Sequence, residues 1–264
     1  MIIRILIFWG LSNVIAVAKV GDYVVLESSN GHEPQVVAGD PAQLERSVSP
    51  ASTFKMIISW AGLEEGLVEP GSMRRVTERH IPRTPREVSL HEAMYYSSNS
   101  YFIELAQKIG ETKMAAYMRQ ADVSVDVVPE QWLEGGWSSA KKGGFIKVSA
   151  TKQHEFVKNI LEGNIGSSAD KNKQLMQVME WPSGVDNIKL YGKTGVWGGA
   201  VWFNGFGVIQ DKDESGKEKI TKKAVTVLYE GSIGQRSQAI AAFYDRFGLK
   251  PVEPKQSFFM QKNK

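Results

Sequence analysis

No cysteine occurs among the 264 residues of the chain, which excludes disulfides, thiolate metal sites and a thiol nucleophile. Histidine is scarce as well: His32, His80, His91 and His154 are dispersed without metal-ligand spacing, so they are expected to be structural or surface residues, with no metal site. Neither sign of charge prevails. With 32 basic against 29 acidic side chains the net charge is +3, and the excess is scattered, which argues against a nucleic-acid partner. Internal repeats and disorder-like composition are lacking too, and 42% hydrophobic content suits one large domain or two intimately packed halves.

What the chain does have is an apolar start. Met1-Ile2-Ile3-Arg4 is a minimal basic opening, Ile5 to Ala18 is largely apolar, and Ala16-Val17-Ala18 puts small residues at the two positions a signal peptidase reads. The expectation is a cleaved export signal over residues 1–18, with cut after Ala18, and a secreted or periplasmic domain over 19–264; an uncleaved anchor and a buried first strand or helix are the alternatives. The apolar run is too short, and too interrupted by Ser12 and Asn13, for a membrane span, so no stable span is expected after cleavage.

Asp22–Leu26 and Gln35–Ala38 read as β-strands joined through Asn30-Gly31, a strong hairpin pair. Ser49 suits a helix N-cap and Pro50 the first helical position, with Phe54, Ile57, Ile58 and Ala61 forming one apolar stripe towards Gly66. The stretch with Pro70, Pro82 and Pro85 is predicted to be loop with at most short helices. Helices are predicted from Ser89, over Tyr101–Ile109, Met114–Gln120, Ser149–Leu161 and Lys173–Glu180, with an exposed loop at Lys141–Gly144. The period then changes to that of strands at Ile188–Thr194, Val201–Ile209 and Ala224–Tyr229, and Gln238–Phe247 closes as a helix. These elements imply an α/β (α+β) fold: an antiparallel sheet built from both termini, about 19–48 and 185–264, flanked by helices, with a helical part inserted at about 49–184.

Three short motifs stand out. Ser52 and Lys55 share one face near a helix start, where a serine can act as nucleophile if a dry amine takes its proton. Ser-x-x-Lys also occurs at Ser138, Ser139, Ser149 and Ser168, but only Ser52 opens a strongly apolar helix; a helix cap with a surface lysine is the alternative. Ser97-Ser98-Asn99 is a polar cluster amid Met94, Tyr95, Tyr96 and Phe102. It can relay a proton and hold a carbonyl or the lysine, or else be a helix break that satisfies its own backbone. Lys193-Thr194-Gly195 occurs once, at a predicted strand end before Gly198-Gly199, and suits either an edge that grips an extended substrate's carboxylate or an ordinary strand end.

Together and in this order the three motifs resemble the Ser-x-x-Lys, Ser-Asp-Asn and Lys-Thr-Gly signature of β-lactamases and penicillin-binding proteins, with Ser98 in place of the aspartate. The sequence resembles that penicillin-recognising superfamily, most closely the class D β-lactamases and related β-lactam sensor domains. Pro50 to Lys55 matches the class D nucleophile segment nearly letter for letter, and Trp132-Leu133-Glu134-Gly135, Val148-Ser149-Ala150, Tyr191 to Gly195 and Trp202-Phe203 match further. The resemblance spans roughly 22 to 247 and implies a β-lactamase/transpeptidase-like fold. It implies Ser52 as acylated nucleophile, Lys55 as its base, Ser97 as proton donor to the leaving nitrogen, and Lys193, Thr194 and Arg236 as the carboxylate grip. Backbone amides of Ser52 and Val196 would form the oxyanion hole, Gly195 would admit the substrate, and Trp132 would pack on the lysine head. Glu134 is expected to be structural.

In class D enzymes the equivalent lysine carries a carbamate formed from carbon dioxide, and this is the one cofactor-like group the resemblance implies for Lys55. Those enzymes usually have valine where this chain has Asn99, while transpeptidases and sensors have asparagine there. The Tyr-Gly-Asn motif of class D is replaced by Asp122-Val123-Ser124. The expected substrate is therefore a β-lactam hydrolysed in class D fashion. The alternatives are a D,D-transpeptidase or carboxypeptidase acting on D-alanyl-D-alanine peptides, and a β-lactam-binding or sensing protein that stays acylated.

Overall fold

The computed structural model describes residues 22–123 and 146–260. The expectations for the export signal, Ser124, Trp132, Glu134 and the Lys141–Gly144 loop lie outside the described residues.

The hairpin forms as its turn residues dictate: β1 (Tyr23–Ser29) and β2 (Gln35–Gly39) pair antiparallel, with Asn30 and Gly31 at φ +52° and +78° between them. Two short strands follow, β3 (Arg74–Val76) and β4 (Arg86–Val88), which pair with each other in a separate ribbon. This corrects the predicted loop. Three-residue strands leave no readable alternation, and what secures them is burial of Val76 and Val88 at 1% and 0% exposure. A two-residue strand, β5 (Glu180–Trp181), leads to β6 (Ile188–Trp197), β7 (Ala200–Lys212) and β8 (Glu218–Glu230). The main sheet runs β2-β1-β8-β7-β6-β5, antiparallel throughout. Strands from both ends of the chain therefore share one sheet, because β1 lies between its own hairpin partner and β8.

The helices are α1 (Lys55–Glu64), α2 (Leu90–Tyr96), α3 (Asn99–Ile109), α4 (Glu111–Gln120), α5 (Ala150–Glu162), α6 (Ala169–Val178), α7 (Arg236–Asp245) and α8 (Gln256–Met260). Serine caps start four of them: Ser89, Ser98, Ser149 and Ser168 each accept from a backbone N–H in the first turn, a contribution of about 1 kcal/mol apiece. Alternation along the strands divides the core. Val24, Trp202, Phe206 and Leu228 face the helical layer, while Val201, Phe203, Val225 and Val227 face α7 through Ala239 and Phe243. Covered on both faces, β7 over residues 200–209 and β8 over residues 224–229 are almost wholly apolar, with Asn204 and Thr226 as buried polar exceptions. α1 lies in the middle of this core and is buried all round from Lys55 to Leu63, not along a single stripe as its periodicity predicts. α8 was not legible from the sequence; its Phe259 meets Tyr95 edge-on and Tyr96 at a tilt, with ring centres 5.4 and 5.5 Å apart.

Candidate active site

The predicted helix start is displaced. Ser49 does not cap a helix; its Oγ accepts from Ala51 N at 3.1 Å, a 3₁₀ turn spans Ala51–Phe54, and the α-helix proper begins at Lys55. Ala51 adopts φ +49°, a left-handed conformation that costs an alanine about 1–2 kcal/mol. The sheet imposes it. Trp202 donates its indole N–H to Ser49 O at 2.8 Å, and β6 presses on the turn so closely that a Cβ on Gly195 would sit 2.8 Å from Pro50 O and 3.1 Å from Thr53 N. From the other side Gln153 of α5 donates to Thr53 Oγ1 at 2.9 Å. Ser52 is thus held in a turn clamped between sheet and helix. Gly195→Ala should push that turn out of place and lower the melting temperature by several degrees. Thermal melts read the effect, and an unchanged melting temperature would mean that β6 does not press on the turn.

The second motif is both things its sequence allows. Ser97 ends α2 in the left-handed region at φ +64°, and Ser98 caps α3, so the cluster is a helix break. That same break turns Ser97 and Asn99 towards Lys55. Strained non-glycine residues persist where the surroundings over-determine them, and here one precedes Ser52 and another is Ser97.

Lys55 is 0% exposed, and its Nζ lies 2.9 Å from Ser52 Oγ, 3.3 Å from Ser97 Oγ and 2.7 Å from Asn99 Oδ1. Burial lowers its pKa to about 7, against an opposing pull from the Glu78 carboxylate. Near neutral pH much of it is a free amine beside a serine hydroxyl, which is the arrangement that activates a serine nucleophile.

The third motif sits within β6 rather than at its end, since β6 runs on to Trp197. The sheet's own hairpin with β7 carries it two residues further than the turn glycines suggest. β5 pairs only with Leu190 and Tyr191, so among the described residues the β6 edge from Lys193 onward has no strand beside it. Lys193 is also 0% exposed and donates to Thr194 O at 2.9 Å. Its pKa is held well below the ordinary lysine value by burial, then by Lys55 and Arg236. Arg236, the first residue of α7, reaches Thr194 Oγ1 at 3.3 Å. Ser52, Ser97, Asn99, Thr194, Val196 and Arg236 all line one cavity of about 630 Å³. The guanidinium of Arg236 on that lining suits an anionic ligand.

Of the predicted site residues, all but Trp132 are described, and Ser52, Lys55, Ser97, Asn99, Lys193, Thr194, Gly195, Val196 and Arg236 come together here. Sequence reasoning missed the rest of the cleft wall, Tyr95, Trp181 and Tyr244 with Pro251, Val252 and Glu253. Tyr95 and Tyr96 beside Ser97 were a usable signal; the wall from residues 251–253 had none.

The carbamate implied for Lys55 does not fit the described residues. Carboxylation would leave one N–H where three side-chain oxygens now crowd Nζ, and would set an anionic group against Asn99 Oδ1. Turning the Asn99 amide over would offer an N–H but fill the same space.

An antiparallel sheet between helical layers, with a serine, a dry lysine and a strand edge at one cleft, is the frame of a penicillin-recognising serine enzyme. The sequence model for the penicillin binding protein transpeptidase domain matches residues 14–200, and the chain belongs to that family. Among curated relatives, β-lactamase OXA-10 of Pseudomonas aeruginosa is 24% identical, with 81% of this chain and 85% of the relative covered. β-Lactamase OXA-1 of Escherichia coli is 23% identical, with 70% of each covered. The fold is that of solved class D β-lactamases: the β-lactamase BAT-2 superposes with a TM-score of 0.70 at 19% identity over 88% of this chain and 93% of the other. The class D enzyme from Bacillus subtilis gives 0.68 at 21% identity, covering 86% and 92%.

Proposed function

We propose that this protein is a serine acyl-enzyme that opens β-lactam rings through an ester at Ser52 and then hydrolyses that ester, as a class D type β-lactamase working without a carbamate. One observation carries the reading: the dry Lys55 amine, with a pKa near 7, is 2.9 Å from Ser52 Oγ. In this reading Lys55 takes the hydroxyl proton as Ser52 Oγ attacks the β-lactam carbonyl, and backbone amides of Ser52 and Val196 receive the developing oxyanion. Ser97 passes a proton from Lys55 to the lactam nitrogen as the C–N bond breaks, which leaves Lys55 neutral again. Lys193, Thr194 and Arg236 hold the substrate carboxylate. Hydrolysis then repeats the sequence with water in place of Ser52, and Lys55 returns the proton to the departing serine.

Asn99 favours a second reading. Its Oδ1, 2.7 Å from Lys55 Nζ, is a good acceptor for an ammonium and so opposes the neutral amine that deacylation needs. A long-lived ester would make the protein a penicillin-binding or β-lactam-sensing one, and cleavage of D-alanyl-D-alanine peptides would make it a peptidase. Intact-protein mass spectrometry with a penicillin, followed over time with and without bicarbonate, separates these. A transient adduct supports hydrolysis, a lasting one the second reading, and no adduct refutes both. Asn99→Val should remove the competing acceptor and open space at Nζ, raising turnover about tenfold or more and making it bicarbonate-dependent. A variant that turns over like the parent would show that Asn99 does not limit deacylation.

A further inference from the structure

Glu78 appears in none of the three motifs. It lies between β3 and β4, half-buried, and its Oε1 accepts from Ser98 Oγ at 2.7 Å, Ser100 N at 2.8 Å and Ser100 Oγ at 2.9 Å. Its own backbone is fixed too: Glu78 O accepts from Ile81 N and from Thr84 Oγ1, both at 3.0 Å. The proline-bearing segment after β3 thus serves to hold one carboxylate against the first turn of α3, where the helix amides and dipole favour negative charge. Burial alone would raise the Glu78 pKa, but these hydrogen bonds outweigh it and hold it at about 2, so the group is ionised at any working pH.

The two residues it grips, Ser98 and Ser100, are chain neighbours of the two whose side chains reach the amine. Ser98 separates Ser97 from Asn99, and both neighbours present oxygens to Lys55 Nζ. We propose that Glu78 is a positioning residue of this cleft: it locks the break between α2 and α3 so that Ser97 and Asn99 meet Lys55, and it sets a fixed negative charge that acts on the Lys55 amine. The proposal rests on the acyl-enzyme reading only for its kinetic consequence.

The charged and titratable groups around Lys55 make the second part testable. Lys193 approaches from β6 and Arg236 from α7 beside it, while His80, Tyr95, Tyr96 and Glu253 border the same cavity. The Phe102 ring of α3 lies 5.8 Å from Nζ and brings no charge. Glu78 is the carboxylate whose field raises the proton affinity of Lys55, against burial, which lowers it.

Glu78→Gln keeps a carbonyl oxygen with two lone pairs to accept from Ser98 and Ser100 but removes the charge. In full-length protein carrying ¹³Cε-labelled lysine, with the Lys55 signal identified by its loss in Lys55→Met, the substitution should lower the Lys55 pKa by roughly half a pH unit or more. The acid limb of penicillin acylation should move down by the same amount, which a merely structural residue would not produce. Glu78→Ala removes the clamp as well and should slow acylation about tenfold at its own optimum pH. A Lys55 titration unchanged in Glu78→Gln overturns the electrostatic part, and Glu78→Ala acylating at the parental rate overturns the clamp. If the parent itself forms no adduct, the acyl-enzyme reading fails and the NMR titration still decides whether Glu78 acts on Lys55.

Discussion

Ser52→Ala should abolish covalent labelling by penicillin while leaving the protein folded and able to bind the antibiotic reversibly. The hydroxyl is the only atom lost, and its described hydrogen bond is to Lys55 Nζ at 2.9 Å, while Ser52 itself lines the cavity. The turn around it is held by Trp202, Gln153 and β6, none of which touches Ser52 Oγ. Little stability should therefore change, about 1 kcal/mol at most. Thr194 and Arg236 remain to hold a carboxylate, so displacement of a fluorescent penicillin should still report weak binding. The acylation rate should fall by at least a thousandfold, because no other described serine lies beside a buried amine except Ser97, which is 3.3 Å away and in a left-handed turn. Intact-mass spectra after hours of incubation decide it: an adduct of normal yield on the variant would sink the assignment of Ser52 as nucleophile.

Lys55→Met should separate activity from stability in opposite directions. Acylation should drop by two to four orders of magnitude, the usual contribution of a general base. The fold, however, should become more stable at pH 7. The Lys55 pKa is about 7 in the folded protein against 10.5 when exposed, so between those values the unfolded chain binds more protons, and stability rises as pH rises from 7 to 10.5. Below about pH 7 the full penalty of charging a buried amine is present, on the order of 5 kcal/mol from the same two values. Methionine has similar length and no charge, which removes that penalty, while Ser52, Ser97 and Asn99 can turn to cleft water. A rise in melting temperature of roughly 5 °C at pH 7 is expected, together with a flatter dependence on pH up to 10. Thermal melts across that range test it, and a variant less stable than the parent at pH 7 would mean that Lys55 is not held dry. The parent's acylation rate should itself rise through pH 7 as the amine is freed.

Much of this site was legible because its chemistry is local. Ser52 and Lys55 are three residues apart and meet within one turn, Ser97 and Asn99 are separated only by Ser98, and Lys193 and Thr194 are adjacent. The hairpin at Asn30-Gly31 and the serine caps at Ser89 and Ser149 were equally readable, since a turn conformation or a free amide within three residues demands those side chains, whereas the helix predicted from Lys173 begins at Ala169 behind Ser168. Failures came where the partner was distant in sequence. Pairing of β3 with β4 depends on burial of two valines, and the left-handed Ala51 depends on pressure from β6, which no property of alanine announces. Glu78 sits among prolines that read as loop, and its partners begin 20 residues later.

The residue types and their order, by themselves, determined the reactive set of serine, lysine and strand edge, because these functions need particular atoms at short spacing. Only the tertiary structure decided the state of those atoms. Sealing α1 on every side dried Lys55 and lowered its pKa, since desolvation depends on what surrounds a charge and not on what precedes it in the chain. The same packing placed Asn99 Oδ1 against Nζ and brought Glu78 to the turn that carries it, and so set how tightly that amine holds its proton.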